Sequence, residues 1–508
     1  MKRKKMSRIG MKEKFECIVN KYWIYLLWIA SWIFVSLVDF NQITNDRHVV
    51  RASFFVVFII VFVRYLIKEK MEYDEKLIRI FMLGSFIVRL VFVLFHNYNF
   101  SYHDLGSLAK GMETTYQDGH LGYIQYIYFN GHLPDFDPRT VWSFYHPPFY
   151  YIVASVFMKI NTVFGLDMKM ALENLQMLTM LFATMTIQVG YKILKEFQLS
   201  ARTTCFAFLI VAFHPYFIYG GATPNNDMLS ILFIFMAILF TIRWYKNSTY
   251  KEIIFLAISI GLGMMTKLSV GIVAPAVAVI FLVKFIREKA YVYYFKQFVL
   301  FGLICIPLGM FWSIRNTVLY GMPLVYVQQI GYTSTQDLRN IAVWKRLNPF
   351  DFSNYGYPGL NYDTQKDYNI WSVMFRSSMF DELWIDQTLL YEIFLGKMLV
   401  FVNGIVAIVA LIMGIINDVK QKQVDCWMNR FKILLYLTIM GSYIKFCLQF
   451  PVICSVNFRY IVPVILIGAI NIGMYMDSKY KNEYLVRAAE GIIVAFAGVS
   501  VFIYMFIV

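Results

Sequence analysis

The sequence predicts an all-α polytopic membrane protein, and three observations lead there. Of its 508 residues 59% are hydrophobic and only 16% charged. The apolar residues come in repeated continuous runs of about 18 or more, the length a helix needs to cross a bilayer. The basic residues gather in the short connections between those runs, as the positive-inside bias demands. Continuous rather than alternating apolar runs exclude a β-barrel, whose strands alternate over roughly 10 residues. The formal charge of +15 does not point to nucleic acid, because it sits in loops such as Lys2-Arg3-Lys4-Lys5 and 64–70. Six scattered cysteines form no CxxC pair and no ligand spacing, so neither a disulfide framework nor a metal centre built on cysteine is expected.

Taken in order, the first apolar run, 22–40, follows a lysine-rich start. It is too long for a signal-peptide core and lacks a small-x-small cleavage site, so it reads as an uncleaved span with its N-terminus cytoplasmic. Further spans are expected at 52–67, 79–97, 172–191, 203–219, 228–244, 252–265, 269–285, 297–314, 394–416, 431–449, 459–476 and 488–507, about 13 crossings in all. Charge decides the one ambiguous stretch, 149–164. If it crossed, the basic connection 192–202 and those after it would fall outside; lying along the surface, it leaves every basic loop cytoplasmic. The chain then divides into N-terminal spans (1–98), a first outer loop with a juxtamembrane helix (99–171), a transmembrane core (172–314), a second long outer segment (315–393) and C-terminal spans (394–508). All the candidate polar motifs meet on one face.

Those motifs begin in the polar interruption 102–151, which opens with Tyr102-His103-Asp104-Leu105 and closes with His146-Pro147-Pro148-Phe149. A long loop between apolar spans is costly to order unless it builds a working surface. Thr223-Pro224-Asn225-Asn226-Asp227 and Thr266-Lys267-Leu268-Ser269 are turns between spans, and Asn457-Phe458-Arg459-Tyr460 opens another. In order, spacing and common side, these elements resemble the membrane glycosyltransferases of the GT-C class, especially protein O-mannosyltransferases and bacterial aminoarabinose transferases. The resemblance runs from about 102 to 323, with a weaker echo at 457–460. Two departures stand out: Leu105 replaces the family's paired acid, and two extra spans precede the first loop.

The resemblance implies a GT-C-like bundle and an enzyme that takes sugar from a polyprenyl-phosphate carrier, with inversion at the anomeric carbon. Direct reasoning from the residues runs beside it. Transfer from a lipid phosphate to a hydroxyl needs a base at the acceptor and cations around the departing phosphate. Asp104 suits the base, or else it caps a helix over 105–116. Asp227 either caps its own helix or, with Asn226, orients the acceptor or shares a divalent ion with the first loop. His103 orients the acid, binds phosphate or simply sits on the surface. His146, Lys267 and Arg459 are the remaining candidates for the donor phosphate, with snorkelling to the interface the alternative for Lys267 and headgroup binding for Arg459. Tyr102 and Asn226 are assigned to the acceptor, a glycan, lipid or protein.

Arg89 lies inside a span, where a charge costs about 2.5–3.5 kcal/mol, so it must face a polar partner. Segment 315–391 is rich in Tyr, Asn and Asp, but its composition fits an acceptor surface and an interfacial belt equally well. No P-loop or GxGxxG signature points to a nucleotide donor. The competing readings are a transporter or flippase of a lipid-linked saccharide, for which Arg89 speaks, and a non-catalytic subunit of a polysaccharide assembly complex. Few acids in span interiors and no clear internal repeat weigh against transport.

Overall fold

Helices account for every expected crossing, but not all of them are full-length. The structure, a computed structural model, describes residues 11–37, 47–69, 73–98, 103–104, 118–328, 335–355, 358–383, 389–420 and 427–508. In chain order the main helices are α1 (Met11–Leu37), α2 (Arg47–Glu69), α3 (Glu75–Phe95), α4 (Gly119–Asn130), α5 (Phe149–Val163), α6 (Leu175–Glu196), α7 (Ala201–Ala212) and α8 (Asp227–Asn247). They continue with α9 (Tyr250–Thr266), α10 (Ala274–Glu288), α11 (Tyr291–Tyr320), α12 (Ile370–Met379), α13 (Leu390–Lys420), α14 (Trp427–Gln449), α15 (Val464–Met476) and α16 (Glu483–Phe502). Among the described residues the only extended pairing is one antiparallel bridge, Asp337 to Val452.

The figure of 13 needs correcting in kind. Among the described residues nine helical segments are long and apolar enough to cross a membrane. The run expected at 203–219 is broken: α7 stops at Ala212 and resumes as Tyr216–Ala222 after a 59° bend. His214-Pro215 lies at the break, and the proline has no N–H to continue a helical ladder. The runs expected at 252–265 and 459–476 became α9, of 17 residues, and α15, of 13. The apolar part of α1 is Lys21–Leu37.

Ion pairs and caps mark one face of the bundle. Lys195 at the end of α6 pairs with Glu75 at the start of α3 at 2.6 Å, and Glu196 takes Arg243 (2.8 Å) and Lys246 (2.9 Å) from the end of α8. Asp477, after α15, accepts from Ser200 (2.8 Å) and Thr203 (2.7 Å) at the start of α7. At the opposite face Glu173 accepts from the backbone N–H of Tyr98, just beyond α3, at 3.1 Å. Since α3 and α6 run antiparallel between these two sets, the start of α6 shares a face with the end of α3.

That fixes α5. It begins beside His146 and leads through the short helix Met168–Glu173 back to the start of α6, so both its ends lie on the same face of the bundle, as expected of a helix along the surface. It packs under α1, where Trp32 Nε1 donates to Asn161 at 3.0 Å and the Phe157 ring lies 5.2 Å from Trp32. Helix packing in the core uses close approach: a Cβ at Gly261 of α9 would stand 2.8 Å from Leu308 Cβ and 3.2 Å from the Cys305 carbonyl of α11. Arg89 on α3 is buried and donates to Ser85 (3.3 Å) and Thr184 (3.4 Å), the polar partners its position required.

With the native cysteines replaced, Thr140→Cys and Lys195→Cys should react with a membrane-impermeant maleimide from opposite sides of the membrane. Reaction of both from one side would mean that α5 crosses after all.

Candidate active site

Four stretches far apart in sequence meet on the face opposite the ion pairs: residues 103–104, the turn 225–227 ahead of α8, the junction of α9 with Lys267, and the turn 457–460 ahead of α15. A fifth, the turn 381–382 after α12, completes the group. Together they border a cavity of about 940 Å³. Asp104, His146, Asn226, Lys267 and Arg459, all singled out from sequence, line it. His103 and Asp227 do not; they are buried directly behind. Tyr102 and the stretch 105–117, with the helix expected there, lie outside the described residues.

Asp104 takes a left-handed backbone (φ 58°), which Asp tolerates better than most residues, and this turns its carboxylate toward the cavity. Oδ1 accepts from Arg459 Nη1 at 2.6 Å. Oδ2 accepts from His120 Nε2 at 3.2 Å and from the Asn225 amide at 3.4 Å. His120 Nδ1 lies 2.6 Å from the Tyr151 hydroxyl, so Tyr151 and Asp104 hold the ring through its two nitrogens. Burial raises the Asp104 carboxyl, but Arg459 and His120 outweigh it and hold the group well below the usual carboxylate range.

Asp227 does not act as a helix cap. It is the first residue of α8, and its side chain pairs with Lys267 Nζ and accepts from His103 Nε2 at 3.1 Å. Arg459 Nη1 lies 4.0 Å away. Asn225 shapes the turn, accepting from the Asp227 N–H at 3.0 Å, while the Asn226 amide donates to the Thr266 carbonyl at 3.1 Å and so ties the α8 turn to the α9 junction. Lys267 lies over the Tyr460 ring (5.4 Å), as does Arg459 (5.2 Å). Lys267 is therefore paired rather than snorkelling.

His103 is fully buried, which removes the surface reading and leaves no ring nitrogen for phosphate. Nε2 donates to Asp227 and Nδ1 to Asp381, whose other oxygen accepts from Asn457 at 2.5 Å. Burial works against the charged ring, yet Asp381 and Asp227 carry its pKa up to about 10, so it stays an imidazolium. His146 stacks on His120 at 5.4 Å; burial, with His120 and Lys267 nearby, pushes it well below the usual histidine range and keeps it neutral.

Three residues went unrecognised in the sequence: His120, Asp381 and Glu382. The adjacent acids Asp381-Glu382 were the visible signal, but segment 315–391 holds several other acids and nothing in the pattern ranks them. Glu382 lines the cavity and accepts from Tyr362 at 2.5 Å. Burial, then the neighbouring Asp381 and Asp104 charges, push its carboxyl up to about 7.

The cavity has three kinds of wall. The charged wall carries Asp104, Lys267 and Arg459; an apolar one carries Ile272, Phe446 and Phe450; the segments 335–355 and 358–383 contribute Gln336, Tyr362 and Glu382. Among the described residues no group of three or more His, Cys, Asp and Glu is placed to hold a metal ion. Asp104 and Asp227, the pair considered for a shared divalent ion, each already answer to a cationic side chain, so this donor set does not fit a resident metal.

Residues 145–312 match the family described as dolichyl-phosphate-mannose-protein mannosyltransferase, a family of glycosyltransferases. The matched third of the chain contains His146, Asn226, Asp227 and Lys267, and the resemblance read from the motifs is found there. Among solved structures the chain is similar to the archaeal oligosaccharyltransferase AglB from Archaeoglobus fulgidus, in complex with an inhibitory peptide and a dolichol-phosphate. Identity is 11% and the TM-score 0.45, over 84% of this chain and 55% of that one. It is also similar to ArnT from Cupriavidus metallidurans bound to undecaprenyl phosphate, at 14% identity and a TM-score of 0.36, over 84% of this chain and 77% of that one. The chain thus spans about half the length of the oligosaccharyltransferase. No curated protein matches it in sequence.

Infrared difference spectra should show a buried carboxyl band that is lost as pH rises through about 7 and is absent from Glu382→Gln. A band unchanged by that substitution would remove Glu382 as its source.

Proposed function

We propose that the protein is an integral membrane glycosyltransferase that moves a sugar from a polyprenyl-phosphate donor to an acceptor hydroxyl, with Asp104 as general base. The observation that carries this reading is the pairing of a cavity-facing carboxylate with a guanidinium at 2.6 Å, beside the Lys267 ammonium. The match of residues 145–312 to a glycosyltransferase family supports it from an independent direction.

The charges divide the work. An incoming phosphate would draw on Arg459 and Lys267, the two cavity-lining cations beside Asp104 and Asp227. Arg459 shared with that phosphate binds Asp104 less firmly, and the carboxylate regains basicity when donor is in place. Asp104 then takes the proton of the acceptor hydroxyl; the oxygen bonds to the anomeric carbon, and the bond from that carbon to the phosphate oxygen breaks. Its electron pair leaves with the polyprenyl phosphate, whose charge Arg459 and Lys267 neutralise. Attack opposite the leaving group inverts the anomeric carbon. With the donor absent, Arg459 holds the base in its weak form, which disfavours wasteful hydrolysis.

The apolar wall suits the prenyl chain, and the polar wall of the second outer segment suits a hydroxyl-rich acceptor. We place the cavity on the outer face, because the opposite face carries the basic connections Lys192 to Arg202, Arg243 to Lys251 and Lys479 to Arg487. The N-terminus is then cytoplasmic.

Reconstituted protein offered a panel of polyprenyl-phosphate sugars with membrane-extract acceptors should release free polyprenyl phosphate from at least one. Asp104→Asn should cut that release by about 10²- to 10⁴-fold, the range for loss of a general base. An Asp104→Asn protein as active as wild type would remove Asp104 from the chemistry.

A further inference from the structure

The second outer segment reaches the charged site at Asp381, a residue no sequence motif marks. Asp381 is fully buried, and its backbone is left-handed (φ 46°), a conformation Asp adopts at modest cost. Its carbonyl accepts from Leu360 N–H at 2.7 Å, which fastens the turn to the strand of chain before α12. Its carboxylate faces away from solvent, with one oxygen on His103 Nδ1 and the other on the Asn457 amide. Asn457 accepts from the Arg459 N–H at 2.9 Å, and Ser377, one turn earlier on α12, accepts from the Phe458 N–H at 3.0 Å. The turn that presents Arg459 is therefore built against Asp381 and α12.

We propose that Asp381 and His103 form a buried pin that positions the neighbouring Asp104, making the turn after α12 a working part of the transfer site. This rests on the transferase reading above. His103 faces Asp381 and Asp227 through its two nitrogens, with Tyr216 and Tyr219 rings packed on it at 5.7 Å each. Asp104 is its chain neighbour and Glu382 follows Asp381; Lys267 pairs with the other Asp227 oxygen, and Arg459 lies 4.0 Å from the oxygen His103 binds. Only a doubly protonated ring can donate to both carboxylates at once. A neutral ring would set a lone pair against one of them, and whichever contact opened would release the 103–104 stretch and move the Asp104 carboxylate. Asp381 contributes most to keeping the ring charged, ahead of Asp227, and the ring's charge in turn helps keep Asp104 ionised.

Two measurements test this, one of them independent of activity. In histidine-selective NMR of the full chain, the resonance missing from His103→Gln should report an imidazolium up to about pH 10 in the wild type. In Asp381→Asn, which keeps the size and most hydrogen bonds, the same resonance should titrate closer to neutrality. Release of polyprenyl phosphate by Asp381→Asn should then fall by about tenfold or more between neutral pH and about pH 9, a limb the wild type lacks. Asp381→Glu, which restores the charge, should remove that limb even if its overall rate is lower. A purely structural Asp381 would lower the rate equally at all pH values or give protein that fails to fold, and Asp381→Glu would show no recovery of the profile. A wild-type His103 resonance that titrates near the ordinary histidine value, or an Asp381→Asn profile identical to wild type, would overturn the pin alone. A charged His103 in a protein that releases nothing from any donor would overturn the transferase reading and the positioning role with it.

Discussion

Charge neutralisation at the edge of an apolar bundle is the constraint on which the rest of this structure depends. Asp104, Asp227 and Asp381 are balanced by Arg459, Lys267 and His103, each contact drawn from a different stretch of chain. An ion left alone in such surroundings costs several kcal/mol, and removal of one partner from a buried pair costs about 3–5 kcal/mol. Each stretch therefore leaves a charge uncompensated until its partner stretch is in place. The cluster specifies how the helix ends come together more than it stabilises the bundle, whose cohesion comes from close packing such as that at Gly261.

The same neutrality separates two tasks. Charges on the cavity wall, among them Asp104, Lys267 and Arg459, are open to a ligand; behind them His103 joins Asp227 to Asp381, and Asp227 links the two layers through Lys267. On the proposed reading, a phosphate entering the first layer would change the pairing of Arg459 and Lys267 while the contacts of His103 with Asp227 and Asp381 hold the second. Rearrangement is thereby confined to side chains that reach the substrate, which suits a site that must be preorganised yet respond to binding.

Most of the fold and much of the site were legible in the sequence, for identifiable reasons. Apolar runs and the placement of lysine and arginine located the helices and kept α5 on one face. The turns at His146, Asn226-Asp227, Lys267 and Arg459 stood out because polar residues at span ends are few. Helix length was not legible where a run ended in residues that read as apolar yet did not continue the same helix. Tyr216 to Tyr219 and Phe458 to Tyr460 are such residues, turned aside by Pro215 and by the Asn457 turn. For His103 the sequence left orienting the acid, phosphate binding and a surface position open, because adjacency to Asp104 says nothing of direction: the one side chain lines the cavity and the other is buried in protein. His120, Asp381 and Glu382 could not be ranked for a different reason. Their burial is decided by how segments 118–147 and 335–383 fold over the helix ends, and local composition carries no trace of that.

The shortness of particular helices has a consequence for the surrounding lipid. The segments that fall short, α7 at 12 residues, α9 at 17 and α15 at 13, all start or end level with the basic face and stop beneath the cavity. At 1.5 Å per residue these are roughly 18, 25 and 20 Å long, against a hydrocarbon thickness of about 30 Å. In a bilayer of that thickness, helices this short would set the charged floor of the cavity below the plane of the headgroups. Such hydrophobic mismatch thins the bilayer locally and brings water down with it. A lipid phosphate would sink to meet its cations while its tail stayed among neighbouring tails, and a water-soluble acceptor would descend through a wet vestibule to the same depth.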